Sequence, residues 1–444
     1  MTERTKIPQD RLELRFTDKN PPLTATEAHL EAARCLYCWD APCIRACPTA
    51  IDIPTFIRKI ATGNATGSAR TIYRANLLGA SCARVCPVEV LCEGSCVYTE
   101  DGRPPVSIGR LQRYATEHGP RPRQLLASAA PSGKTIGLVG GGPASLACAG
   151  TLALLGHDPV IYEQADVPGG LNASGVAPYK LKLADALAEV QAILELGVRV
   201  ETGVRVGEDV SADTLLARHD AIFLGPGLGG DSRLNVPGED GSGVVGAVEW
   251  IARLKTQSGV SVDGVRSAVV VGGGNTAIDV ARELRGLGVE SVTVLYRRPI
   301  PRMSAYEHEL DGAKREGARV IDRAAVSEIA RTGGRVTGVH LVETDDGRPT
   351  PRKIAMLPAD LVILAIGQSR LVDLATSFAG VTCDASGRIE ADAETGRTGN
   401  PRVFAGGDAR NGGKEVVNAV DEGQAAARAI DRMLRGAEAS VAGG

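Results

Sequence analysis

The stretch TIGLVGGGPASLACAGTLALLGHDPVIYE, residues 135–163, decides how this chain folds. Its opening residues, 135–139, form a short β-prone apolar run that ends in Gly140, Gly141 and Gly142. A helical pattern of about twelve residues follows, Gly156 closes it, and a second apolar run ends at Glu163. Strand, glycine turn, helix and strand in that order make one βαβ unit. The unit recurs in SAVVVGGGNTAIDVARELRGLGVESVTVLYRR, residues 267–298, with the same three glycines and a closing Gly288. A chain of 444 residues is long enough for two or three domains, and two such units predict an α/β architecture.

The glycine turns carry chemistry as well as fold. Gly140 and Gly142 permit a tight turn and close approach of the backbone to a pyrophosphate, whose charge the next helix N-terminus stabilises. Ser145 stands where a third glycine is usual and is small enough for helix and strand to pack. Glu163 lies 23 residues after Gly140, near the position of an acid that binds ribose hydroxyls. The second unit has Gly272, Gly274 and Ala277, but YRRPIPR, with Arg297, Arg298 and Arg302, replaces the ribose acid. Guanidinium groups there suit a 2′-phosphate, so the second dinucleotide leans to NADP over NAD. A solvated basic turn is the alternative reading. Both units are thus Rossmann-like dinucleotide-binding domains.

Near the C-terminus, VFAGGDARNGGKEVVNAVDEGQAAARAI places Asp408 between a strand and a helical run. With GGL (169–171), AIFLGPG (221–227) and DLVILAIGQ (360–368), residues 135–431 resemble the thioredoxin reductase and glutathione reductase type of flavoprotein. In that type a Gly-Gly-Asp binds the ribityl chain of FAD, and the following helix aims its N-terminus at the flavin ring. The resemblance implies an NAD(P) domain, 246–370, inserted between two parts of an FAD domain, 131–245 and 371–444. It implies cofactor contacts from Gly140, Gly142, Pro143, Ala144, Ser145, Glu163, Gly170, Leu171, Lys180 and Val206, and from Asp408, Val416 and Val417. Around the second turn it implies Gly272, Gly274, Asn275, Thr276, Arg297, Arg298 and Arg302, with Ala365, Ile366 and Gly367.

Residues 1–130 have a different character. TATEAHLEAARC opens as a capped helix with Thr24 and Glu27 at capping-box spacing, and IDIPTFIRKIATGN and GSARTIYRANLLG read as further helices. GPRPRQLLASAAPSGK (119–134) reads as a linker. Eight of the ten cysteines lie between positions 35 and 96. The opening MTERTKIPQD lacks a secretory pattern, and no apolar run reaches the roughly 18 residues of a membrane span, so a soluble cytoplasmic protein is expected. Thiols there favour metal over bridges. The runs are Cys35-x2-Cys38-x4-Cys43-x3-Cys47-Pro48 and Cys82-x3-Cys86-Pro87-x4-Cys92-x3-Cys96. Both contain a cysteine before proline, and the spacing is close to that of ferredoxins, which predicts two [4Fe-4S] clusters. Structural zinc is the competitor.

Residues 31–114, from EAARCLYCWDAPCIRACP through CARVCPVEVLCEGSC to SIGRLQRYA, resemble the N-terminal domain of dihydropyrimidine dehydrogenase. Together with GGGPAS and GGGNTAID the resemblance covers nearly the whole chain. It is similar to the separate flavin and iron-sulfur subunit of the bacterial two-subunit form; the small subunit of glutamate synthase shares the architecture. The resemblance implies one cluster on Cys35, Cys38, Cys43 and Cys96, and another on Cys47, Cys86, Cys92 and the side-chain oxygen of Gln112. Counting thiols alone gives that last place to Cys82. It further implies that NAD(P)H passes hydride directly to FAD, with no catalytic side chain of this protein, and that single electrons leave through the two clusters. Their destination would be a partner FMN and iron-sulfur subunit, in a hetero-oligomer, that reduces uracil or thymine to 5,6-dihydropyrimidines. The alternatives are glutamate synthase or another ferredoxin-coupled reductase, and a zinc-held docking module. Lys plus Arg (50) nearly balance Asp plus Glu (53), so no global field favours nucleic acid or a membrane surface.

Overall fold

The computed structural model describes residues 7–441, so the first six residues of MTERTKIPQD lie outside it. The chain divides into two compact units. The smaller comprises the described residues up to Asp18, then Ser174–Lys182 and Gly229–Ser369; the larger comprises Lys19–Ala173, Leu183–Leu228 and the chain from Arg370 onward.

The strands in chain order begin with β1 (Thr135–Val139), β2 (Asp158–Glu163), β3 (Arg199–Thr202), β4 (Ala221–Leu224), β5 (Val244–Gly246) and β6 (Ser267–Val271). Then follow β7 (Ser291–Leu295), β8 (Arg319–Ile321), β9 (Ala324–Thr332), β10 (Arg335–Asp345), β11 (Arg348–Pro358), β12 (Leu361–Leu364) and β13 (Val403–Ala405). The larger unit holds a parallel sheet of order β13-β4-β1-β2-β3, and the smaller a parallel sheet of order β5-β12-β6-β7-β8. Each glycine-bearing strand, β1 or β6, is the middle one of its sheet. The repeat in the sequence is therefore a repeat of topology. Both middle strands are nearly all apolar and buried, as strands covered on two faces must be.

In the larger unit, the helices Ala25–Ala33, Ile53–Ala61, Ala65–Ala75, Gly79–Val85 and Ile108–His118 precede β1. Thr24 caps the first: its hydroxyl accepts from the Glu27 backbone at 3.3 Å, and the Glu27 carboxylate accepts from the Thr24 backbone at 2.8 Å. Phe56, Ile57, Ile72 and Leu111 make the fully buried centre of this helical part. It also shares a core with the sheet layer, because Leu77, Leu78 and Cys82 pack with Ala147, Cys148, Leu152 and Ile193.

The smaller unit contains two features without a local signal in the sequence. One is the antiparallel sheet β11-β10-β9, whose Val326, Ile329, Val339 and Leu341 pack on Val269, Val271 and Leu295. The other is the segment Ser174–Lys182. Fully buried Lys255 donates to the carbonyls of Val176 at 3.1 Å and Leu181 at 3.0 Å, and the Tyr179 hydroxyl donates to Asp279 at 2.5 Å. Lys182 in turn donates to the Glu13 carbonyl at 2.7 Å. Residues before Lys19, read from sequence as part of the helical domain, thus pack in this unit.

Candidate functional site

The first glycine turn is a cradle without side chains. Gly140 has φ +87°, and a Cβ there would stand 2.7 Å from the Gly225 carbonyl oxygen. Gly170, at φ +54°, would put a Cβ 2.6 Å from the Gly142 Cα, so two backbones meet where the turn opens. Gly142 caps the helix Pro143–Leu154 with no side-chain acceptor, leaving its first-turn N–H groups free of any side-chain cap. The Ser145 hydroxyl is buried and has no hydrogen-bond partner among the described residues. Glu163 ends β2 with its carboxylate accepting from Gly141 at 2.5 Å and Ala165 at 2.7 Å. An open helix N-terminus, a bare turn and an acid beside it fit the pyrophosphate and ribose of a dinucleotide.

The C-terminal residues named from sequence converge on the same turn. Gly407, at φ +71°, precedes Asp408, and a Cβ on Gly407 would stand 2.9 Å from the Ala144 Cβ. The long helix Val416–Val441 crosses Pro143–Leu154 so tightly that a Cβ on Gly423 would overlap the Ala144 carbonyl. Burial raises the Asp408 pKa above its usual value, against the opposing pull of the Lys414 backbone. Val417 is buried at the start of that helix. Two residues sit elsewhere. Val206 packs in an apolar cluster with Val381 and Ile389. Lys180 lies in the smaller unit, paired with Asp279 at 2.7 Å and Glu309 at 2.9 Å.

The second turn repeats the construction within the smaller unit. Gly272 has φ +148°, and any Cβ there would overlap the Ala365 carbonyl, so the turn and the residues after β12 abut. Gly367 has φ +104°. Gly274 caps Asn275–Gly286 without a side-chain acceptor, while the Asn275 side chain accepts from the Tyr306 backbone at 2.9 Å. Arg297 and Arg298 are exposed after β7, and Arg302 is paired with Asp346. The Tyr296 ring lies against Gly273, and its hydroxyl donates to the Arg302 carbonyl at 2.6 Å.

The cysteines form two groups. Cys35, Cys38, Cys43 and Cys96 line one cavity walled by Ile53, Ile57, Val106 and Ile108. Burial pushes the Cys43 thiol up to about 12, and the neighbouring Cys35 and Cys96 add to the shift. Cys86 packs against the core that includes the helix Pro143–Leu154, and Cys47 packs both there and against the helical core beside Cys35, Cys43, Cys92 and Cys96. A hydrogen bond donated to Cys82 and burial raise the Cys86 pKa, with Cys92 and Cys47 near enough to contribute. Burial raises Cys92 as well, followed by Glu93 and Cys47. Crowded thiols in dry surroundings stay protonated unless a bound cation stabilises the thiolates, which fits a thiolate-ligated cluster. All ten cysteines are unbridged. Gln112 donates through Nε2 to the Gly79 carbonyl at 2.7 Å, which fixes the amide and turns its oxygen away from that carbonyl. Cys82 is buried, its sulfur accepting from the Asn76 amide at 3.3 Å. Among the described residues, no three His, Cys, Asp or Glu side chains form a single-ion site, and no helix is long and apolar enough to cross a membrane.

Residues 134–423 match the family described as pyridine nucleotide-disulphide oxidoreductase. The chain belongs to this oxidoreductase family. Residues 12–123 match the family described as dihydropyrimidine dehydrogenase domain II, 4Fe-4S cluster, which decides for iron-sulfur over zinc. The pyridine nucleotide-disulphide oxidoreductase part accounts for flavin and nicotinamide nucleotide, the helical part for iron-sulfur. The chain is 36% identical over 422 residues to the NAD-dependent dihydropyrimidine dehydrogenase subunit PreT of Escherichia coli K12, covering 94% of this chain and 97% of that protein. It is 33% identical over 465 residues to the glutamate synthase [NADPH] small chain of the same organism, covering 97% of each. Among solved structures, T. acidophilum thioredoxin reductase aligns with TM-score 0.54 and 21% identity over 68% of this chain and 99% of that one. FprA of Mycobacterium tuberculosis in complex with NADPH aligns with TM-score 0.55 and 22% identity, over 69% and 86%. These two show the fold.

Two further residues at the first turn lie in the quoted motifs without having been singled out. Gly225 touches both Gly140 and Ser145, and Glu422 accepts from the Gly407 backbone at 2.8 Å and from Asn411 at 3.1 Å. Tyr296 could have been found, since it directly precedes the arginines.

Proposed function

We propose that this protein is the electron-input subunit of a two-subunit reductase, oxidising NAD(P)H at the smaller unit and delivering electrons through two [4Fe-4S] clusters. The observation that carries this reading is the order of the thiol groups. Cys47 packs against both apolar cores of the larger unit and Cys86 against the one that holds Ala144 and Cys148, while Cys35, Cys38, Cys43 and Cys96 line a separate cavity. The loop beside that cavity exposes Trp39 fully and Leu36 by more than half, and the preceding helix exposes Leu30, as a surface awaiting a partner would.

Bound FAD would supply what no side chain can, acceptance of an electron pair and its release one electron at a time. Gly140 and Gly142 would hold its pyrophosphate, Glu163 its ribose and Asp408 its ribityl chain; Gly272 and Gly274 would hold the nicotinamide dinucleotide. Cys35, Cys38, Cys43 and Cys96 would ligate the outer cluster, and Cys47, Cys86, Cys92 and Gln112 the inner one. The bond from Gln112 to Gly79 supports the last assignment, because it leaves the amide oxygen as the group available to iron. Eight unbridged thiols between positions 35 and 96 support a reducing, cytoplasmic setting.

The partner in this reading is an FMN and iron-sulfur subunit that reduces uracil or thymine to the 5,6-dihydropyrimidine, supported by the similarity to PreT over 94% of the chain. The similarity to the glutamate synthase small chain over 97% of the chain supports a second reading, electron input to glutamate synthesis. The purified holoprotein should reduce an artificial dye with NAD(P)H and leave uracil untouched, and uracil should be reduced once the FMN subunit is added. Uracil reduction by the chain alone would refute the proposal; glutamate formation with a large synthase subunit would select the second reading.

A further inference from the structure

The end of β7 lacks the ribose-binding acid that ends β2, and the tip of another element stands in its place. β10 and β11 are joined by Asp346 and Gly347, at φ +44° and +83°, a two-residue hairpin turn with both residues left-handed. The tip is seated on the arginine run. Asp346 is ion-paired with Arg302, and a Cβ on Gly347 would stand 2.9 Å from Arg298 Cγ and 3.6 Å from Arg297 Cγ. Just before the turn, the Thr344 hydroxyl donates to the Arg297 carbonyl at 2.5 Å. Arg297 and Arg298 have no ion pair among the described residues, and of the adjacent acids Asp345 and Asp346 it is Asp346 that pairs with Arg302.

We infer that Asp346 is a coenzyme-selecting residue, supplying from a neighbouring hairpin the carboxylate that the second glycine unit lacks and biasing the site towards NADH. The inference rests on the reading that the arginine run faces the adenosine ribose. A free 2′-hydroxyl can donate to the Asp346 carboxylate, as it does to the acid at the end of a second strand in dinucleotide folds. A 2′-phosphate brings about two negative charges to the same place. It must compete with Asp346 for Arg302 and then remain beside the displaced carboxylate. The arginines favour NADPH; the hairpin tip opposes them.

The test uses the FAD-loaded full chain and its Asp346→Asn and Arg302→Ala variants. Asparagine keeps an oxygen at the tip and accepts a positive φ, so the turn survives. Dissociation constants for NADP+ and NAD+, and for 2′,5′-ADP and 5′-AMP as probes of the adenosine end, are measured calorimetrically on the same preparations. D346N should lower the ratio of NADP+ to NAD+ constants about fivefold, the scale of one exposed charge pair, and should tighten 2′,5′-ADP but not 5′-AMP. R302A should weaken NADP+ and 2′,5′-ADP selectively. An unchanged ratio in D346N, with R302A behaving as expected, overturns the role of Asp346 and leaves the ribose site standing. If R302A changes neither coenzyme, the placement of the ribose fails and the inference fails with it. Each ratio is taken within one preparation, so a loss of folded protein alters neither.

Discussion

Glu189 accepts a hydrogen bond from the backbone nitrogen of Ser81 at 3.1 Å. A second, from Ala80 at 2.9 Å, reaches the same oxygen, so one buried carboxyl on the helix Leu183–Leu194 joins the sheet layer of the larger unit to the cysteine-bearing helices. Burial raises its pKa from 4.5 to about 7, although the Ser81 and Ala80 bonds pull the other way. The folded chain therefore binds a proton here between those pH values that the unfolded chain has released. The stabilisation is complete below about pH 4.5 and is lost as pH rises through about 7, a total of about 3 kcal/mol. Glu189→Gln keeps an oxygen for the two N–H groups and removes the titration. Denaturant midpoints at about pH 5 and about pH 7.5 should differ less in the variant than in the parent; equal differences would show that Glu189 ionises freely.

Gln112→Ala should lower bound iron to about half, the loss of one cluster of two. Cys82→Ala should keep its iron, because that sulfur is occupied with the Asn76 amide and the surrounding core. Iron per folded chain decides the matter. Loss only in the Cys82 variant would return the fourth ligand to the thiol.

Trp39→Ser should leave dye reduction by NAD(P)H unchanged, because the side chain is fully exposed and supports no core. Electron delivery to the partner subunit should fall about tenfold or more at sub-saturating concentration, as it does when an aromatic anchor is removed from an interface. Equal rates of partner reduction in parent and variant would place the docking surface elsewhere.

Gly272→Ala forces a side chain into the Ala365 carbonyl at a left-handed φ of +148°. Bleaching of the flavin by NAD(P)H should slow at least about tenfold, since even a 1 Å misplacement of a bound reactant costs more than that. Reduction by dithionite should be unaffected, because the first glycine turn and the cysteines belong to the other unit. Anaerobic spectra with each reductant separate the two effects.

What could be read in the sequence was what is local. The glycine turns, the cap at Thr24 and the strand AIFLGPG depend on neighbours within a few residues, and each is where its pattern put it. The gathering of Cys35, Cys38 and Cys43 at one cavity was equally legible, as short turns bring closely spaced residues together. Features made by distant contacts left no trace. The ion pairs of Lys180 with Asp279 and Glu309, far along the chain, had no local signal. Asp346 belongs to a hairpin whose own pattern says nothing about the arginines beneath it. The β9-β10-β11 sheet went unforeseen because exposed β11 lacks the apolar alternation that marks a half-buried strand.

The crossing of Gly423 over Ala144 sets a timetable for making the protein. The first glycine turn is synthesised well before the helix that closes over it, and all of Gly229–Ser369 appears in between. The smaller unit's main segment can collapse during translation on contacts of its own. The turn at Gly140 is closed only once Gly423 has followed the whole of Gly229–Ser369, and a truncation near residue 420 would leave the cysteine helices without the helix that packs on Pro143–Leu154.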